Sequence, residues 1–428
     1  MTGTNNSTDA ELNPNELIDR FLYDPSLLYR WLEDVGIKYT VDLLSALCKP
    51  NDSIWVQVNK SKIDFDSLLD IFEDMDIIAE KHPFYDDFIQ VKIGVNEFDA
   101  EEKLLPMMKV DKESTTSIAL GKDVNSTNVT EVNDFSAGDT VRIIDFVGNI
   151  IAVGKAEIHS YEVRDKTVRV AAKNIKSLGI TPQLTELMVY RRGYFSILTP
   201  VQALSVKSAY FKPEDNILVM TRDKGEVASY IAELTDNKYP ITFIVSDKLQ
   251  LKAARRQIER TKSKAVRIIK RTIAQFINEI PEVKYSSVFL EPQNSRTAVM
   301  PTFSSNLGVS KLLKMVTKQK EIITDLYRYL YDSATITYFT HSVDVSENEE
   351  VFNHIMSRAY YQDHQFSSEI KKLQKNKIFS HRELKEDISG DYSYEHKSST
   401  IFLDPVKTNN TGGYIASFKF GKPEKNKK

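Results

Sequence analysis

The chain has 428 residues, a length that suggests two or three domains. Its hydrophobic fraction of 41% and charged fraction of 27% are ordinary for a globular protein. The net charge of −3 excludes a global basic field, so any surface that binds nucleic acid must be local. The single cysteine, Cys48, excludes an intrachain disulfide, a cysteine-based zinc site and any chemistry that needs two thiols.

The first fifteen residues are polar and contain no apolar run that would mark a signal peptide. No stretch approaches the length of a transmembrane helix. We therefore expect a cytoplasmic protein without a membrane partner, and nothing in the sequence predicts a metal site.

The first hundred residues combine helical and strand-like patterns. Apolar residues recur at helical spacing from Glu16 to about Leu47, before Pro50 and Asn51 interrupt the pattern. Residues 54–60 and 88–94 then alternate as strands, and Asp64 is placed to cap a helix over 65–74. Strand, helix and strand indicate a small α/β layer.

Short strands separated by turn residues follow. They are predicted over residues 117–120, 140–145, 150–159, 167–172 and 187–192. Spacing of this kind is typical of a small β-barrel.

From Pro213 onward strands alternate with helices. The predicted strands cover residues 216–220, 241–247, 286–291, 335–340 and 413–420, and the predicted helices cover 226–234, 248–260, 317–331 and 347–360. Residues 362–400 are interpreted as loops with one helix. The alternation predicts a doubly wound α/β domain.

The segment ITYFTHSVDVSENEEVF (336–352) resembles the signature of the Sun family of RNA cytosine-5 methyltransferases. The family has Tyr-Ser-Thr-Cys-Ser followed by Glu-Asn-Glu-Glu, and the matching residues here are Tyr338, Thr340, Glu347, Asn348, Glu349 and Glu350. The helix that contains Gln319 and the end strand GYIASFKF are also similar to family elements. Taken alone, the ENEE segment would equally suit the acidic N-terminus of a helix.

Residues 134–145 and 148–158, with SIALGKDV (117–124), resemble a PUA domain. The order of segments matches the PUA-containing, tRNA-acting branch of the Sun family. The resemblance implies a Rossmann-like S-adenosylmethionine-dependent methyltransferase fold with an inserted PUA β-barrel and a small N-terminal α/β layer. The expected domains are an N-terminal RRM-like region (1–100), the PUA domain (101–205) and the methyltransferase-type domain (206–428).

The resemblance also shows what is missing from the active site. In the family, a cysteine thiolate adds to C6 of cytosine and a second cysteine helps release the product. His341 stands at one cysteine position, and either Gln293 or Asn294 stands at the other, because the register is uncertain by one residue. No catalytic residue is therefore predicted at these degenerate positions.

The cofactor loop of the family has changed as well. Of its glycines only Gly225 is kept, Glu226 replaces the next position, and Val219 stands where the strand would end in an acidic residue. Asp247 ends the second strand, where it would either bind ribose hydroxyls or cap the following helix. We favour the cap, so no cofactor is predicted; S-adenosylmethionine would bind only if the enzyme is active.

Basic residues are concentrated between Lys248 and Arg271, where Glu259 is the single acidic residue. The candidates for phosphate contacts there are Lys252, Arg255, Arg256, Arg260, Lys262, Arg267, Lys270 and Arg271. In the PUA segment the candidates are Arg142, Lys155, Arg169 and Lys173. The alternative for the first group is a solvated helix surface, but the basic residues Lys270 and Arg271 favour RNA, since they add charge where an active enzyme of the family would be acidic.

Three functions remain open at this stage. The first is an RNA-binding pseudo-methyltransferase that recognises tRNA or another structured RNA. The second is a divergent but active cytosine-5 methyltransferase, and the third is an assembly subunit that docks a protein partner. The missing cysteines disfavour the second function, while the RNA species, protein partners and oligomeric state are not readable from the sequence.

Overall fold

The computed structural model describes residues 14–21, 23–165, 169–279, 281–366 and 399–421. The helices are α1 (Pro14–Phe21), α2 (Pro25–Val35), α3 (Ile37–Leu47), α4 (Phe65–Asp74), α5 (Lys112–Ala119), α6 (Met188–Arg191), α7 (Pro200–Lys207), α8 (Glu226–Leu234), α9 (Lys248–Thr261), α10 (Ile273–Asn278), α11 (Val309–Leu326), α12 (Glu349–Met356) and α13 (Pro405–Thr408). None of these helices is long and apolar enough to cross a membrane. Most of the segment 362–400, for which loops and one helix are expected, lies outside the described residues.

The strands are short, and the longest, β17, has 11 residues. In chain order they are β1 (Ser53–Val58), β2 (Ala79–Lys81), β3 (Phe88–Lys92), β4 (Gly94–Val95), β5 (Met107–Val110), β6 (Val124–Asn125), β7 (Val129–Val132), β8 (Thr140–Ile144), β9 (Ile150–Ala156), β10 (Val170–Ser177), β11 (Gly179–Ile180), β12 (Phe195–Leu198), β13 (Ile217–Met220), β14 (Ile241–Val245), β15 (Val266–Lys270), β16 (Tyr285–Leu290), β17 (Leu330–Thr340), β18 (Tyr361–Asp363), β19 (Thr400–Leu403) and β20 (Gly413–Phe420).

The chain forms two compact units, and both are discontinuous in sequence. The first comprises residues 1–48, 95–180 and 302–309, and the second comprises 49–94, 181–301 and 310–428. The first unit contains helices α1 to α3 and a six-stranded sheet in the order β6-β10-β9-β8-β5-β7. Its core is built from small and β-branched side chains, such as Val141, Ile143 and Ala172, as suits a narrow barrel.

Local signals in the sequence set the boundaries of the first helices. Asp24 caps α2, its carboxylate accepting from the backbone N–H of Ser26, and Pro25 occupies the first helical position. Gly36, with φ of +83°, separates α2 from α3, a conformation that an L-residue with a side chain rarely adopts. The helical pattern predicted from Glu16 to Leu47 is therefore three helices.

The second unit contains a four-stranded antiparallel sheet in the order β12-β1-β3-β2. One face of this sheet packs on α4, where Val56, Val58 and Phe72 form a core. Strand β12 belongs to this sheet by its pairing with β1, although its residues fall within the range 101–205 expected for the PUA domain. The small α/β layer thus includes β12, a strand that follows the barrel in the sequence.

The second unit also contains an eight-stranded sheet in the order β15-β14-β13-β16-β17-β20-β18, with β19 paired to β20. Strands β13 to β17 are parallel, and β20 runs antiparallel to β17. Strand β13 lies between β14 and β16, so the strand order reverses there. This is the doubly wound, Rossmann-like fold expected from the sequence, and such a reversal is where open α/β sheets form their binding crevice.

Two predicted strands are helices in the structure. Residues 117–120 lie at the C-terminal end of helix α5. The helix starts after Asp111, whose carboxylate caps it by accepting from the backbone N–H of Ser114 at 2.7 Å. Residues 187–192 contain the one-turn helix α6, which buries Val189. Both segments are too short for their alternation of apolar and polar residues to distinguish a strand from a single helical turn.

Candidate functional site

The candidate site lies at the carboxyl ends of the parallel strands, where the order of the large sheet reverses. The segments 221–225, 246–247, 291–296 and 341–348 follow strands β13, β14, β16 and β17 there. A cavity of about 530 Å³ opens at this edge, and its charged lining residues are Arg222, Asp223, Lys224, Glu226, Glu291 and Arg296. No cluster of side chains suited to a metal ion occurs among the described residues.

His341 occupies the site as part of a buried chain of hydrogen bonds. Its Nδ1 lies 2.9 Å from a carboxylate oxygen of Glu291, and its Nε2 lies 2.8 Å from the hydroxyl oxygen of Thr199. His341 and Glu291 are each only 1% exposed. The hydroxyl of Thr199 accepts from the backbone N–H of Gln202, so its own proton is left for Nε2.

Glu291 is held as a carboxylate despite its burial. Burial by itself would raise its pKa, but attraction to His341 and hydrogen bonds from His341 and the backbone N–H of Arg222 lower it. An ionised Glu291 accepts the proton on Nδ1, and Nε2 is hydrogen-bonded to the Thr199 hydroxyl. Both nitrogens of the ring are thereby engaged, and neither lone pair faces the cavity unused.

The segment 347–350 is not simply an exposed acidic helix start. Glu347 and Asn348 are fully buried immediately before α12. The carboxylate of Glu347 accepts from the side-chain amide of Gln319 at 2.9 Å and from the backbone N–H of Ser295. The hydroxyl of Tyr338 donates to the carbonyl of Glu347 at 2.7 Å. Burial raises the pKa of Glu347 to about 6, although its hydrogen bonds oppose the shift.

Gln293 and Asn294 follow β16 and are shaped by local contacts. The side chain of Gln293 is exposed, while its carbonyl accepts from Gln319 at 2.8 Å. Asn294 is buried and forms a tight turn, donating to the carbonyl of Pro292 and accepting from the backbone N–H of Arg296. Neither side chain carries a nucleophilic atom, whichever of the two aligns with the family cysteine.

The loop after β13 keeps one glycine and is acidic. Gly225 begins α8 with φ of +102°, a conformation that favours glycine. Burial and repulsion from Glu226 and Glu291 raise the pKa of Asp223 to about 8. The carboxylate of Glu226 accepts from the backbone N–H of Lys224 at 2.6 Å. The charge of Glu226 is therefore held close to the backbone of the loop.

Asp247 and Gln250 bind backbone groups at the end of β14. Asp247 is exposed and caps α9, accepting from the backbone N–H of Gln250 at 2.8 Å. The Gln250 side chain donates to the carbonyls of Thr221 and Asp223 and accepts from the backbone N–H of Ser246. This amide ties the loop after β13 to the loop after β14.

The basic residues of α9 and β15 do not form one uniform surface. Exposed side chains without a carboxylate within ion-pair distance, among the described residues, are Lys248, Lys252, Arg255, Arg256, Lys262, Lys264, Arg267 and Lys270. Arg271 is exposed but lies 2.7 Å from Glu279. Arg260 is half-buried: it donates to the carbonyls of Tyr190 and Phe195 and stacks on the Tyr190 ring at 3.7 Å. The expected grouping of Arg260 with the exposed cations of α9 needs correction, because its guanidinium already serves the fold.

The cations of the PUA segment are mostly engaged within their own unit. Arg169 lies 3.4 Å from Glu162, and Lys173 lies 3.6 Å from Glu157. Arg142 donates to the carbonyl of Lys103. Lys155 is exposed and has no ion-pair partner within the described ranges. Lys155 is therefore the most available of the four candidates.

Thr199 and Glu291 are the site residues that the sequence does not predict. Thr199 is 142 positions from His341 and Glu291 is 50 positions away, so only the sheet topology brings them together. A signal for Thr199 does exist, because Thr199-Pro200-x-Gln202 is the sequence of a capping box with proline at the first helical position. It would have located α7 but not the contact with His341.

Comparison with known proteins gives matches to both parts of the chain. Residues 106–178 match the PUA domain, and residues 209–419 match the family of the 16S rRNA methyltransferase RsmB/F. A curated relative, the tRNA (cytosine(72)-C(5))-methyltransferase of Pyrococcus horikoshii, is 22% identical over 311 residues, covering 72% of this chain and 79% of the relative.

Two solved structures share the fold. The crystal structure of NSun6 from Pyrococcus horikoshii with SFG has a TM-score of 0.81 and 19% identity, covering 95% of this chain and all of that one. A methyltransferase homologue from the same organism has a TM-score of 0.60 and 14% identity, covering 96% of this chain and all of that one. Together, these matches and the buried signature around Glu347 make the chain similar to the PUA-containing members of the Sun family of RNA cytosine-5 methyltransferases.

Proposed function

We propose that this protein binds structured RNA, with tRNA as the expected class, and no longer transfers methyl groups. One observation carries the proposal: His341, at the position of a family cysteine, is buried and has both ring nitrogens engaged by Thr199 and Glu291. Addition to C6 of cytosine needs a free lone pair on a soft nucleophile. An imidazole held in this way offers none.

The surroundings of the second cysteine position support the same conclusion. Gln293 and Asn294 have only amide groups, and the one thiol of the chain, Cys48, is not aligned with either position. Burial, together with repulsion from Asp145, raises the pKa of Cys48 to about 12. A thiol of that kind stays protonated at neutral pH and is a poor nucleophile.

The loop after β13 does not suit S-adenosylmethionine. Glu226 brings a carboxylate to the segment that in the family faces the methionine end of the cofactor, where like charges repel. The Gln250 side chain lies between this loop and Ser246. It donates to the carbonyls of Thr221 and Asp223 and accepts from the backbone N–H of Ser246. Asp247, the remaining candidate for ribose binding, is engaged as a helix cap. We therefore propose no cofactor.

The argument for RNA is electrostatic. In a chain of net charge −3, the exposed cations Lys252, Arg255 and Arg256 on α9 have no acidic partner among the described residues. Such a group gains free energy by releasing the counterions of a phosphate backbone. A PUA domain and a tRNA-acting relative favour structured RNA, and tRNA in particular, as the source of those phosphates.

Covalent trapping tests the loss of catalysis. RNA that contains 5-azacytidine or 5-fluorocytidine traps an enzyme that has added a nucleophile to C6. We expect no adduct and no 5-methylcytosine on tRNA transcripts, and we expect the His341→Cys variant to remain inactive because the second position and the cofactor loop are unchanged. An adduct mapped to any residue of the unmodified protein would favour a divergent active enzyme instead.

A further inference from the structure

A second cavity of about 230 Å³ lies in the larger unit, beside the α/β layer. Six of its thirteen lining residues carry aromatic or proline rings: Trp55, His82, Pro83, Phe84, Tyr85 and Pro200. The volume equals that of roughly eight water molecules at about 30 Å³ each. A cavity of this size and composition suits one flat ring.

His82 organises the aromatic wall of this cavity. Its ring stacks on Tyr85 at 5.1 Å between centroids, and it meets the ring of Trp55 edge-on at 4.3 Å. Burial lowers the pKa of His82 to about 4, with Lys207 adding to the shift and Asp87 opposing it. The imidazole is therefore neutral at physiological pH.

The proton of neutral His82 is positioned by a backbone contact. Nδ1 accepts from the backbone N–H of Phe84 at 3.2 Å, so the proton resides on Nε2. No hydrogen bond joins this Nε2–H to an acceptor among the described residues, and His82 lines the cavity. The indole N–H of Trp55 in the same wall also has no partner there. The aromatic wall thus carries donors that are still free to bind.

The rim of the cavity adds an exposed ring and a free cation. Phe84 is 41% exposed, a large fraction for a phenyl ring. Lys407 lines the cavity, is exposed, and has no carboxylate within ion-pair distance in the described part of the chain. The nearest acidic lining residue, Asp52, lies 3.4 Å from Lys92, which offsets its charge.

We propose that this cavity holds one unpaired nucleobase of the bound RNA, stacked on the Phe84 ring, with the Nε2–H of His82 donating to an acceptor on the edge of the base and Lys407 close to the adjoining phosphate. Aromatic stacking, an edge donor and a nearby cation are the features by which proteins hold single-stranded bases. This inference rests on the proposed RNA binding and adds to it a site for an unpaired nucleotide.

The two tryptophans of the chain, Trp31 and Trp55, make the cavity observable. In the full-length Trp31→Phe variant, Trp55 is the remaining indole and reports on the cavity. Two RNA duplexes with the same stem are titrated, one blunt and one with a short single-stranded pyrimidine overhang. We expect saturable quenching of Trp55 fluorescence by the overhang RNA and little change with the blunt RNA.

Variants identify the contacts. Phe84→Ala should weaken binding of the overhang RNA roughly fivefold or more, the range for losing one stacked base, without changing binding of the blunt RNA. His82→Phe keeps a ring but removes the donor, and should weaken binding of the overhang RNA less. Tyr331→Ala is the matched control, because Tyr331 is 50% exposed and does not line the cavity.

The outcomes separate this inference from the proposed function. If both RNAs bind, as measured by fluorescence anisotropy of the labelled RNA, but quench Trp55 equally, the cavity does not hold a base and RNA binding still stands. The same conclusion follows if Phe84→Ala and Tyr331→Ala behave alike. If neither RNA binds, the proposed function fails and this inference fails with it.

Discussion

At the scale of single residues, His341 is a buried side chain with a hydrogen-bond partner at each ring nitrogen. An imidazole has two nitrogens that need partners when buried, and the chain supplies both through Glu291 and Thr199. A cysteine would satisfy neither group. His341→Cys would therefore leave the buried Glu291 carboxylate with only the backbone N–H of Arg222, and removing one partner of a buried charged pair typically costs several kcal/mol.

The cofactor loop yields a binding prediction at the same scale. Because Glu226 is acidic and Gln250 bridges the neighbouring loop, we expect no measurable binding of S-adenosylmethionine by isothermal titration calorimetry at neutral pH. S-adenosylhomocysteine serves as a second ligand that lacks the transferable methyl group. A dissociation constant in the micromolar range for either compound would show that the loop still accepts the cofactor.

Asp223 makes stability depend on pH. Its pKa is about 8 in the folded protein, against an ordinary value near 4, so between these values the folded state keeps a proton that the unfolded state has lost. The contribution of Asp223 to stability therefore falls as pH rises from about 4 to about 8. We expect Asp223→Asn to raise the free energy of unfolding by about 1–3 kcal/mol at pH 8 in urea denaturation.

The control for Asp223→Asn is the same measurement at pH 3. Below the ordinary pKa of an aspartate both states are protonated, so the variant and the parent protein should then be almost equally stable. A difference of the same size at both pH values would mean that the substitution acts through packing and not through charge.

At the scale of elements, α9 divides into a structural end and an exposed face. Arg260 donates to the carbonyls of Tyr190 and Phe195, and Gly193 lies so close that an added Cβ would overlap the carbonyl of Arg260. The exposed face carries Lys252, Arg255 and Arg256. The basic residues of α9 thus lie in two environments: Arg260 binds backbone carbonyls, and Lys252, Arg255 and Arg256 are exposed to solvent.

This division predicts unequal effects of two similar substitutions. Arg260→Ala should lower the free energy of unfolding by about 2–3 kcal/mol, because it removes hydrogen bonds from a charged group and the stacking on a ring. Arg256→Ala, the matched control on the same helix, should stay within about 0.5 kcal/mol. Equal effects in urea denaturation would contradict the structural assignment of Arg260.

The sequence predicts best those elements that have both a regular apolar spacing and a recognisable boundary residue. Helix α4 is predicted at its observed bounds because Asp64 caps it and its apolar spacing is regular. Strand β20 is predicted equally well from its apolar run.

Helices α5 and α6 are wrongly predicted as strands, because one or two helical turns are too short to show a helical period. The contacts of His341 with Thr199 and Glu291 depend on strand order, which local patterns do not contain.

At the scale of the whole molecule, binding of RNA depends on local charge, because the net charge is −3. We expect the combined variant Lys252→Ala, Arg255→Ala and Arg256→Ala to weaken tRNA binding without loss of stability, since these side chains are exposed. The slope of log K against log salt should become shallower by roughly 0.7–0.9 for each phosphate that the variant no longer neutralises.

A matched control for this triple variant uses cations elsewhere in the fold. Lys311, Lys314 and Lys318 are exposed on α11, so their combined replacement by alanine removes the same charge. If both triple variants change affinity and salt slope equally, binding responds only to net charge. If the α9 variant changes neither quantity, its exposed face is a solvated surface, and docking of a protein partner becomes the better function.

The discontinuity of the two units affects how the chain is made. The carbonyl of Leu47 accepts from the backbone N–H of Thr302 at 2.7 Å, and Tyr23 forms a β-bridge with Ser305. These contacts of α3 and of the chain before α2 form only after residues 302 and 305 have been synthesised. At a synthesis rate of about 5–20 residues per second, this wait lasts roughly 13–50 s on the ribosome. During that interval the N-terminal helices lack the contacts that residues 302 and 305 later supply.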